Sequence, residues 1–255
     1  MRRIRRLGFD YVELCIDPPK ALPGTLRDLK RDLRRALADF PTLSIGHSMW
    51  YIDVSTPYFP SVRECWKRIA KEVIEVCAML ELRAVVFHAY GVGLHLLDHR
   101  AWKKAADVLV ESLEELMKFG RERGVEVWLE NMPIDNALGR FEGFSYVVSR
   151  VRELGVVFDI GHAYVVEKRK GLLRMIKALA PRIRHVHVSD NHGSVDDHLP
   201  LGKGRVPLRR ALAELRAVGY DGTFTLEVFK GGVKGLRRSK DVLKRIWRSL
   251  EKRPY

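Results

Sequence analysis

Histidine and acidic side chains are concentrated in residues 185–202 of this chain, HVHVSDNHGSVDDHLPLG. The segment contains four histidines and three aspartates, and it ends in a glycine. Imidazole together with carboxylate suits Mn, Zn, Co or Fe better than Mg or Ca, which prefer oxygen ligands. The segment therefore indicates a metal site, to which other parts of the chain must contribute further ligands.

The same residue types recur where short β-rich runs end. In chain order they are His47, His88, Glu130, Asp159, His162, His187, Asp196, His198 and Glu227. A single histidine at such a position is usually a hydrogen-bonded structural group. Carboxylates gathered inside a fold cost several kcal/mol each unless a partner offsets their charge. A divalent cation would do so, and we therefore expect these residues to bind a metal.

Seven β-rich runs alternate with amphipathic helical patterns. The predicted strands are YVELCID, LSIGHSM, AVVFHAY, VEVWLENM, VVFDIGH, IRHVHVSD and TFTLEVF. Helical patterns lie near 25–39, 61–80, 100–123, 141–154, 167–180, 207–218 and 239–251. This alternation is typical of an α/β fold with a parallel sheet, and a closed (β/α)8 TIM barrel is the best architecture.

The strand count is one short of eight. The chain opens with a basic helical stretch, MRRIRRLG, which would ordinarily follow a first strand. Either the barrel closes irregularly or a first strand is missing upstream. No linker or low-complexity segment divides the chain, so we expect a single domain over residues 1–255.

Two of the strands alternate strictly between polar and apolar residues. In IRHVHVSD, His185, His187 and Ser189 share one face. In TFTLEVF, Thr223, Thr225 and Glu227 do the same. Because successive side chains point to opposite sides of a sheet, the polar faces should point into the barrel and the apolar faces toward the helices.

Composition sets broad limits. The net charge of +14 would suit an anionic partner such as nucleic acid or a sugar phosphate, although most of the excess lies in helical stretches whose faces would simply be solvated. Three cysteines without a C-x-x-C pair argue against disulfides and a cysteine zinc site. No run of about 18 apolar residues or signal sequence is present, so we expect a cytoplasmic protein that does not enter a membrane.

Several fragments in fixed order resemble the xylose isomerase-like TIM-barrel superfamily. They are GHSM, FHAY, LENM, FDIGHA, HVHVSD, VDDHLPLGKG and LEVF, with LGFDYVEL near the start and GYDGTFTLE near the end. The resemblance covers nearly the whole chain. That superfamily includes sugar and sugar-phosphate isomerases and epimerases, as well as apurinic-site nucleases of the endonuclease IV type.

The resemblance to the isomerases and epimerases implies a single-metal site made by Glu130, Asp159, His187 and Glu227. Glu130 and Glu227 would be the catalytic acid and base, passing a proton to and from the carbon next to a carbonyl. His162 would bind a substrate hydroxyl. The expected function is metal-dependent isomerisation or epimerisation of a small sugar or sugar phosphate.

The resemblance to the nucleases implies a larger ligand set for up to three zinc ions. It adds His47, His88, His162, Asp196 and His198 to the quartet, and every position matches in residue type. This alternative is an apurinic-site endonuclease acting on nucleic acid. The surrounding motifs depart from the nuclease pattern, since DIGH stands in place of D-T-C-H and HVSDNHG in place of H-x-N-D-S-K. A barrel that binds ligand without catalysis is a third alternative.

Three further residues are candidates for substrate binding. Lys203 and Arg205 in PLGKGR could favour an anionic group such as a phosphate, although surface loop charge explains them equally well. Trp50 could stack on a sugar ring or a base, although aromatic packing is the commoner role. A homodimer is compatible with this fold but does not follow from the sequence.

Overall fold

The computed structural model describes residues 1–91 and 101–251. Its strands are β1 (Glu13–Ile16), β2 (Ile45–Ser48), β3 (Ala84–His88), β4 (Glu126–Glu130), β5 (Gly155–Asp159), β6 (Ile183–Val188) and β7 (Thr223–Leu226). Its helices are α1 (Arg2–Arg6), α2 (Pro23–Asp28), α3 (Lys30–Leu37), α4 (Pro60–Met79), α5 (Ala101–Arg121), α6 (Phe141–Arg150), α7 (Ile160–Leu179), α8 (Leu208–Ala217) and α9 (Gly232–Glu251). The described residues thus confirm the seven strands and their alternation with helices.

Some element bounds differ from the prediction. The strand predicted for VVFDIGH ends at Asp159, and α7 begins at Ile160 rather than near 167. The helix expected over 25–39 is divided at Leu29, and α9 begins at Gly232 rather than near 239. Residue 100 of the predicted 100–123 helix lies outside the described residues. No helix in the described part of the chain is long and apolar enough to cross a membrane.

The chain forms two compact units. The first unit contains residues 1–130 and 146–155, and the second contains residues 131–145 and those from 156 onward. In the first unit, β1 to β4 are parallel and pair in chain order, with His88 opposite Glu130. In the second unit, β5 pairs with β6 and β6 with β7, also in parallel, so that Asp159 lies opposite His187.

The core of the first unit surrounds β3 and β4. All five residues of β3 are buried, as expected for a parallel strand covered on both faces. Trp128 of β4 is 1% exposed and its indole nitrogen donates to Glu126, 3.0 Å away. On β2, Gly46 leaves room for a side chain of α4, because a Cβ at this position would lie 2.4 Å from the Cys77 sulfur.

The second unit has an apolar core and a polar strand face. Phe158 of β5 is fully buried, which contributes about 1.5–3 kcal/mol relative to exposure. On β6 and β7, His185 lies 2.7 Å from the Thr223 hydroxyl through Nδ1 and 2.9 Å from the Thr225 hydroxyl through Nε2. The predicted sharing of a face by these histidine and threonine residues is therefore confirmed.

Candidate metal centre

Two histidines and a glutamate converge in the first unit, at the ends of three neighbouring strands. The Nε2 atoms of His47 and His88 each lie 3.4 Å from Oε2 of Glu130, and they are 3.3 Å from one another. Glu130 is 1% exposed and His88 is 4% exposed. Parallel pairing of β2, β3 and β4 produces this arrangement, because it brings the carboxyl ends of the three strands to the same edge.

The local hydrogen bonding of His47 orients the ring nitrogen that is its candidate metal ligand. Its Nδ1 lies 3.1 Å from the carbonyl oxygen of Ser48, which can only accept a hydrogen bond. In the neutral ring the proton is therefore on Nδ1, and Nε2 presents its lone pair toward Glu130. Metal-binding histidines in proteins are commonly oriented in this way, by a hydrogen bond from the second ring nitrogen.

The spacing of these three donor atoms fits a metal. Two ligand atoms bound tetrahedrally to one zinc at 2.0–2.2 Å lie about 3.3–3.6 Å apart. The three separations of 3.3, 3.4 and 3.4 Å in the first unit fall in this range. A buried carboxylate beside two imidazoles is also a donor set that transition metals prefer. His47, His88 and Glu130 are therefore suited to hold one ion.

In the second unit, Asp159 links the end of β5 to the start of α7. Its Oδ1 accepts a hydrogen bond of 2.6 Å from the backbone N–H of His162, so Asp159 is the N-cap of the helix. The side-chain amide of Asn131 donates to the Asp159 carbonyl at 3.0 Å and accepts from the Asp159 N–H at 2.9 Å. The carbonyl of Asn131 also lies 2.8 Å from Nδ1 of His162. These contacts fix both candidate ligands.

His162, Asp196 and His198 form a second three-residue cluster. Oδ2 of Asp196 lies 3.0 Å from Nε2 of His162 and 2.6 Å from Nε2 of His198. These are distances of charge-assisted hydrogen bonds rather than of two ligands on one ion. A metal at this cluster would therefore require Asp196 and His198 to separate by several tenths of an ångström.

Protonation of this cluster follows from its contacts. Burial alone would raise the pKa of Asp196, but hydrogen bonds from His162 and His198 outweigh burial and hold its pKa below the usual range. Burial alone would lower the pKa of His198, but the hydrogen bond to Asp196 and the charges of Glu227 and Asp159 raise it overall. At the acidic side of neutrality His198 therefore favours the imidazolium form, so that protons compete with metal ions for this cluster.

Glu227 lies between two histidines of the second unit, one residue beyond the end of β7. Its Oε1 is 3.2 Å from Nδ1 of His187, and its Oε2 is 3.7 Å from Nδ1 of His198. The backbone carbonyl of Glu227 lies 3.0 Å from the same His198 nitrogen. The spacing from His187 to Glu227 again resembles that of two ligands on one ion, because it is close to 3.3 Å.

The structure thus brings the predicted ligands together in groups within each unit. His47, His88 and Glu130 form one group in the first unit. The second unit holds the other six, at strand ends, in the loops that follow strands or, for His162, in the first turn of α7; they are Asp159, His162, His187, Asp196, His198 and Glu227. Of the four residues predicted to bind a single metal, Glu130 belongs to the first unit and the other three to the second.

Three of the four predicted substrate-binding residues are exposed, and the fourth, His162, is buried. Trp50 is 50% exposed and makes edge contacts with Tyr51 and Tyr90, at centroid distances of 5.5 and 5.3 Å. Lys203 and Arg205 are exposed in the loop that follows β6. His162 is 6% exposed.

Sequence reasoning missed several residues that hold these ligands in place. Asn131, Asp190 and Asn191 are buried and bind the backbone of segments that carry ligands. Gly161 is required because a Cβ there would lie 2.6 Å from the Ser189 hydroxyl oxygen. The available signal was position, since Asn131 directly follows the predicted ligand Glu130, and Asp190 and Asn191 come two and three residues after the end of β6.

This chain is similar in sequence to other proteins, among them a sugar-phosphate epimerase. An uncharacterised protein of Methanocaldococcus jannaschii is 27% identical over 191 residues, which are 72% of this chain and 62% of that protein. The matched segment therefore spans less than two thirds of that relative. The L-ribulose-5-phosphate 3-epimerase of Shigella flexneri serotype 5b is 22% identical over 237 residues, covering 90% of this chain and 81% of that enzyme.

Structure and family comparisons agree on the fold. The crystal structure of a D-tagatose 3-epimerase-like protein matches with a TM-score of 0.83 and 24% identity, over 99% of this chain and 93% of that protein. The family model described as xylose isomerase-like TIM barrel matches residues 1–246. These findings confirm the predicted fold class, an α/β TIM barrel. The chain belongs to the xylose isomerase-like TIM barrel family.

Proposed function

We propose that this protein is a metal-dependent isomerase or epimerase of a small sugar or sugar phosphate. The observation that carries the proposal is the adjacency of His187 and Glu227 at the ends of β6 and β7, with Asp159 opposite His187 at the end of β5. The similarity to an L-ribulose-5-phosphate 3-epimerase supports the substrate class. The proposed unit of function is a single domain over residues 1–255.

The proposed ligands of one divalent ion are Glu130, Asp159, His187 and Glu227. Their mixed carboxylate and imidazole chemistry suits Mn, Zn, Co or Fe. When bound, such an ion supplies positive charge that stabilises a developing negative charge on a substrate oxygen. Asp159 is pre-positioned for this role, because its other oxygen is already committed to the N-terminus of α7.

The proposed reaction exchanges a proton at the carbon next to a carbonyl. One of Glu130 and Glu227 removes the proton, and the electron pair moves into an enediolate. The other glutamate returns a proton to the opposite face for epimerisation, or to the neighbouring carbon for isomerisation. One proton leaves and one returns, so the step needs no oxidant or reductant. The burial of Glu130 limits its access to water and thereby favours a role in proton transfer.

Other residues would hold the substrate. We assign His162 to a substrate hydroxyl, which would replace Asp196 as the partner of Nε2 while the carbonyl of Asn131 holds Nδ1. Trp50 would stack against the sugar, since half of its surface is exposed. Lys203 and Arg205 would attract a phosphate group if the substrate carries one.

Replacement of Glu227 by glutamine tests the assignment. Glu227→Gln keeps the shape of the side chain but removes its basicity, and the exposed Glu142→Gln provides a control with the same chemical change. We would follow incorporation of deuterium from D2O into L-ribulose 5-phosphate by NMR, with manganese or cobalt supplied. We expect exchange in the wild type and control and none in Glu227→Gln. Substantial exchange by a folded Glu227→Gln would exclude the catalytic role.

A second candidate function is an apurinic-site endonuclease that uses up to three zinc ions. The observation that favours it is the presence of two further ligand groups, His47 and His88 beside Glu130, and Asp196 and His198 beside His162. An epimerase with one ion has no evident use for these histidines. This function predicts about three zinc ions per chain and cleavage of an abasic DNA duplex that chelators abolish and added salt weakens. One ion per chain and no cleavage would exclude it.

A barrel that binds a sugar without turning it over is the remaining alternative. It predicts saturable binding of L-ribulose 5-phosphate with no deuterium exchange under any metal. The same exchange assay therefore separates it from the epimerase.

A further inference from the structure

Asp190 is a buried carboxylate that accepts four backbone hydrogen bonds. It lies two residues beyond the end of β6 and is 1% exposed. Its Oδ1 accepts from the N–H groups of Asn191 and Val206 at 3.0 and 3.1 Å. Its Oδ2 accepts from Gly202 and Gly204 at 2.8 and 2.9 Å. A carboxylate has about four acceptor positions, so this one is fully used by the main chain.

Every backbone N–H from residue 202 to residue 206 is bound inside the loop. Besides the three that Asp190 accepts, the N–H of Lys203 donates to Pro200 at 3.1 Å and that of Arg205 donates to Asn191 at 2.7 Å. Leu199 and Asp190 also exchange two backbone hydrogen bonds, of 2.8 and 3.0 Å. The loop after β6 is therefore an ordered structure built around one side chain.

Glycine at position 204 is part of this construction. A Cβ at Gly204 would lie 2.4 Å from both Oδ1 of Asp190 and the carbonyl oxygen of Asn191. Neither atom can move away easily, because the first belongs to a fully hydrogen-bonded carboxylate and the second to the backbone. The close approach of the loop to Asp190 thus requires glycine.

A second contact holds the opposite part of the loop. Lys168 interrupts α7 with φ 55° and ψ −171°, a conformation that residues other than glycine rarely adopt. Its ammonium donates to the carbonyl of Gly193 at 2.5 Å and to that of Val165 at 2.7 Å. The strained backbone therefore places a cation against the segment between Asn191 and Asp196.

We propose that Asp190 is a positioning residue that holds the loop from Asn191 to Val206, and with it Asp196 and His198, in the arrangement in which they meet His162. Lys168 assists by holding the loop at Gly193. Asp196 and His198 lie between the two points of attachment, and the hydrogen bond that Asp196 accepts from His162 is the third contact that orders them. Only one expected consequence rests on the proposed function: metal should bind more weakly when the loop is no longer attached to Asp190.

Amide hydrogen exchange measures how firmly the loop is held, and cobalt titration measures the affinity of the proposed metal site. The variants are Asp190→Asn, which keeps the shape but replaces an acceptor by a donor, and Lys168→Met, which removes the ammonium. Matched controls are Asp221→Asn and Lys170→Met, both at exposed positions outside the loop. Gly204→Ala is a third variant, which displaces the loop while leaving the carboxylate intact.

We expect amides 202–206 to be protected in the full-length wild type and both controls. In Asp190→Asn and Gly204→Ala their exchange should accelerate at least tenfold, while the amides of α8 keep their wild-type rates. Cobalt affinity, followed by visible absorption, should fall about tenfold in the same variants. Lys168→Met should produce a smaller acceleration, confined to the peptide around Gly193.

Two results would overturn the inference. One is rapid exchange of amides 202–206 in the wild type, and the other is wild-type protection and cobalt affinity in both Asp190→Asn and Gly204→Ala. If Asp190→Asn does not fold, wild-type protection and cobalt affinity in Gly204→Ala alone would overturn the inference. A wild type that binds no cobalt but shows the expected exchange pattern would refute the proposed metal chemistry and leave the attachment of the loop to Asp190 established.

Discussion

Asp159 and His162 are joined by a hydrogen bond of 2.6 Å between the aspartate Oδ1 and the histidine backbone N–H. One carboxylate therefore both ends β5 and caps α7. The stability of the helix and the position of two candidate ligands depend on the same side chain.

Substitution of Asp159 should separate capping from ligand binding. Asn is as good an N-cap as Asp, so Asp159→Asn should retain near wild-type stability, whereas Asp159→Ala should lose about 0.5–2 kcal/mol. Both variants lose the carboxylate, and we expect both to bind cobalt at least tenfold more weakly. Thermal unfolding and cobalt titration of the two variants provide the measurements. Equal stability of the two variants would argue against the cap.

Removal of metal should destabilise the protein. A ligand that binds only the folded state adds about 2.7 kcal/mol at a free concentration 100 times its Kd. For a chain of this size we expect the Tm to rise by about 5–10 °C on addition of zinc, manganese or cobalt to protein treated with chelator. Scanning calorimetry with elemental analysis gives both the shift and the number of ions. A Tm that is insensitive to all three metals would contradict the proposed site.

Gly46 should be intolerant of even one added methyl group. In Gly46→Ala the Cβ would contact the sulfur of the buried Cys77, and overpacking of this kind costs about 1–3 kcal/mol. Because Gly46 precedes His47, the same change should weaken cobalt binding. The double variant Gly46→Ala with Cys77→Ala should recover part of both losses, and the coupling can be read from a double-mutant cycle. Strict additivity would show that the two positions do not meet.

An ion-pair network on α4 and α5 should make stability depend on pH. Hydrogen bonds from Lys67 and Lys71, at 2.6 and 2.5 Å, lower the pKa of Glu115. A lowered folded-state pKa contributes stability above the unfolded-state value near 4.5, and this contribution disappears as the pH falls through the folded-state pKa. Glu115 is partly exposed, so we expect Glu115→Gln to cost only about 0.2–1 kcal/mol at pH 7.

The control for this prediction is Glu114→Gln on the exposed side of α5. Denaturant unfolding at pH 7 and near pH 3 should show the difference between Glu115→Gln and wild type shrinking toward acid, with no such trend for the control. A stability difference between Glu115→Gln and wild type that grows toward acid would contradict the prediction.

The strands and many of the candidate ligands could be located from the sequence, and the reason is physical. Apolar runs such as AVVFH and GVVFD mark parallel strands buried on both faces, and a polar residue at their end marks the edge where sites form. Alternation identified Glu227, which continues the polar face of Thr223 and Thr225 one residue beyond β7.

The same reasoning was wrong about the end of β5 and missed the residues that support the ligands. The run VVFDIGH remains apolar past Asp159, so hydrophobicity alone extends the strand, and only the capping ability of Asp159 signals a helix. Their positions after strands draw attention to Asn131 and Asp190, but no local pattern reveals the distant backbone groups that they bind.

The loop around Asp190 also bears on substrate selection. Its five consecutive backbone N–H groups, from Gly202 to Val206, all donate hydrogen bonds within the loop and therefore cannot donate to a bound oxyanion. Attraction of a phosphorylated sugar to this segment would therefore fall to the side chains of Lys203 and Arg205. Attraction between exposed charges is screened by salt, so discrimination between a sugar and its phosphate at this loop would weaken as ionic strength rises.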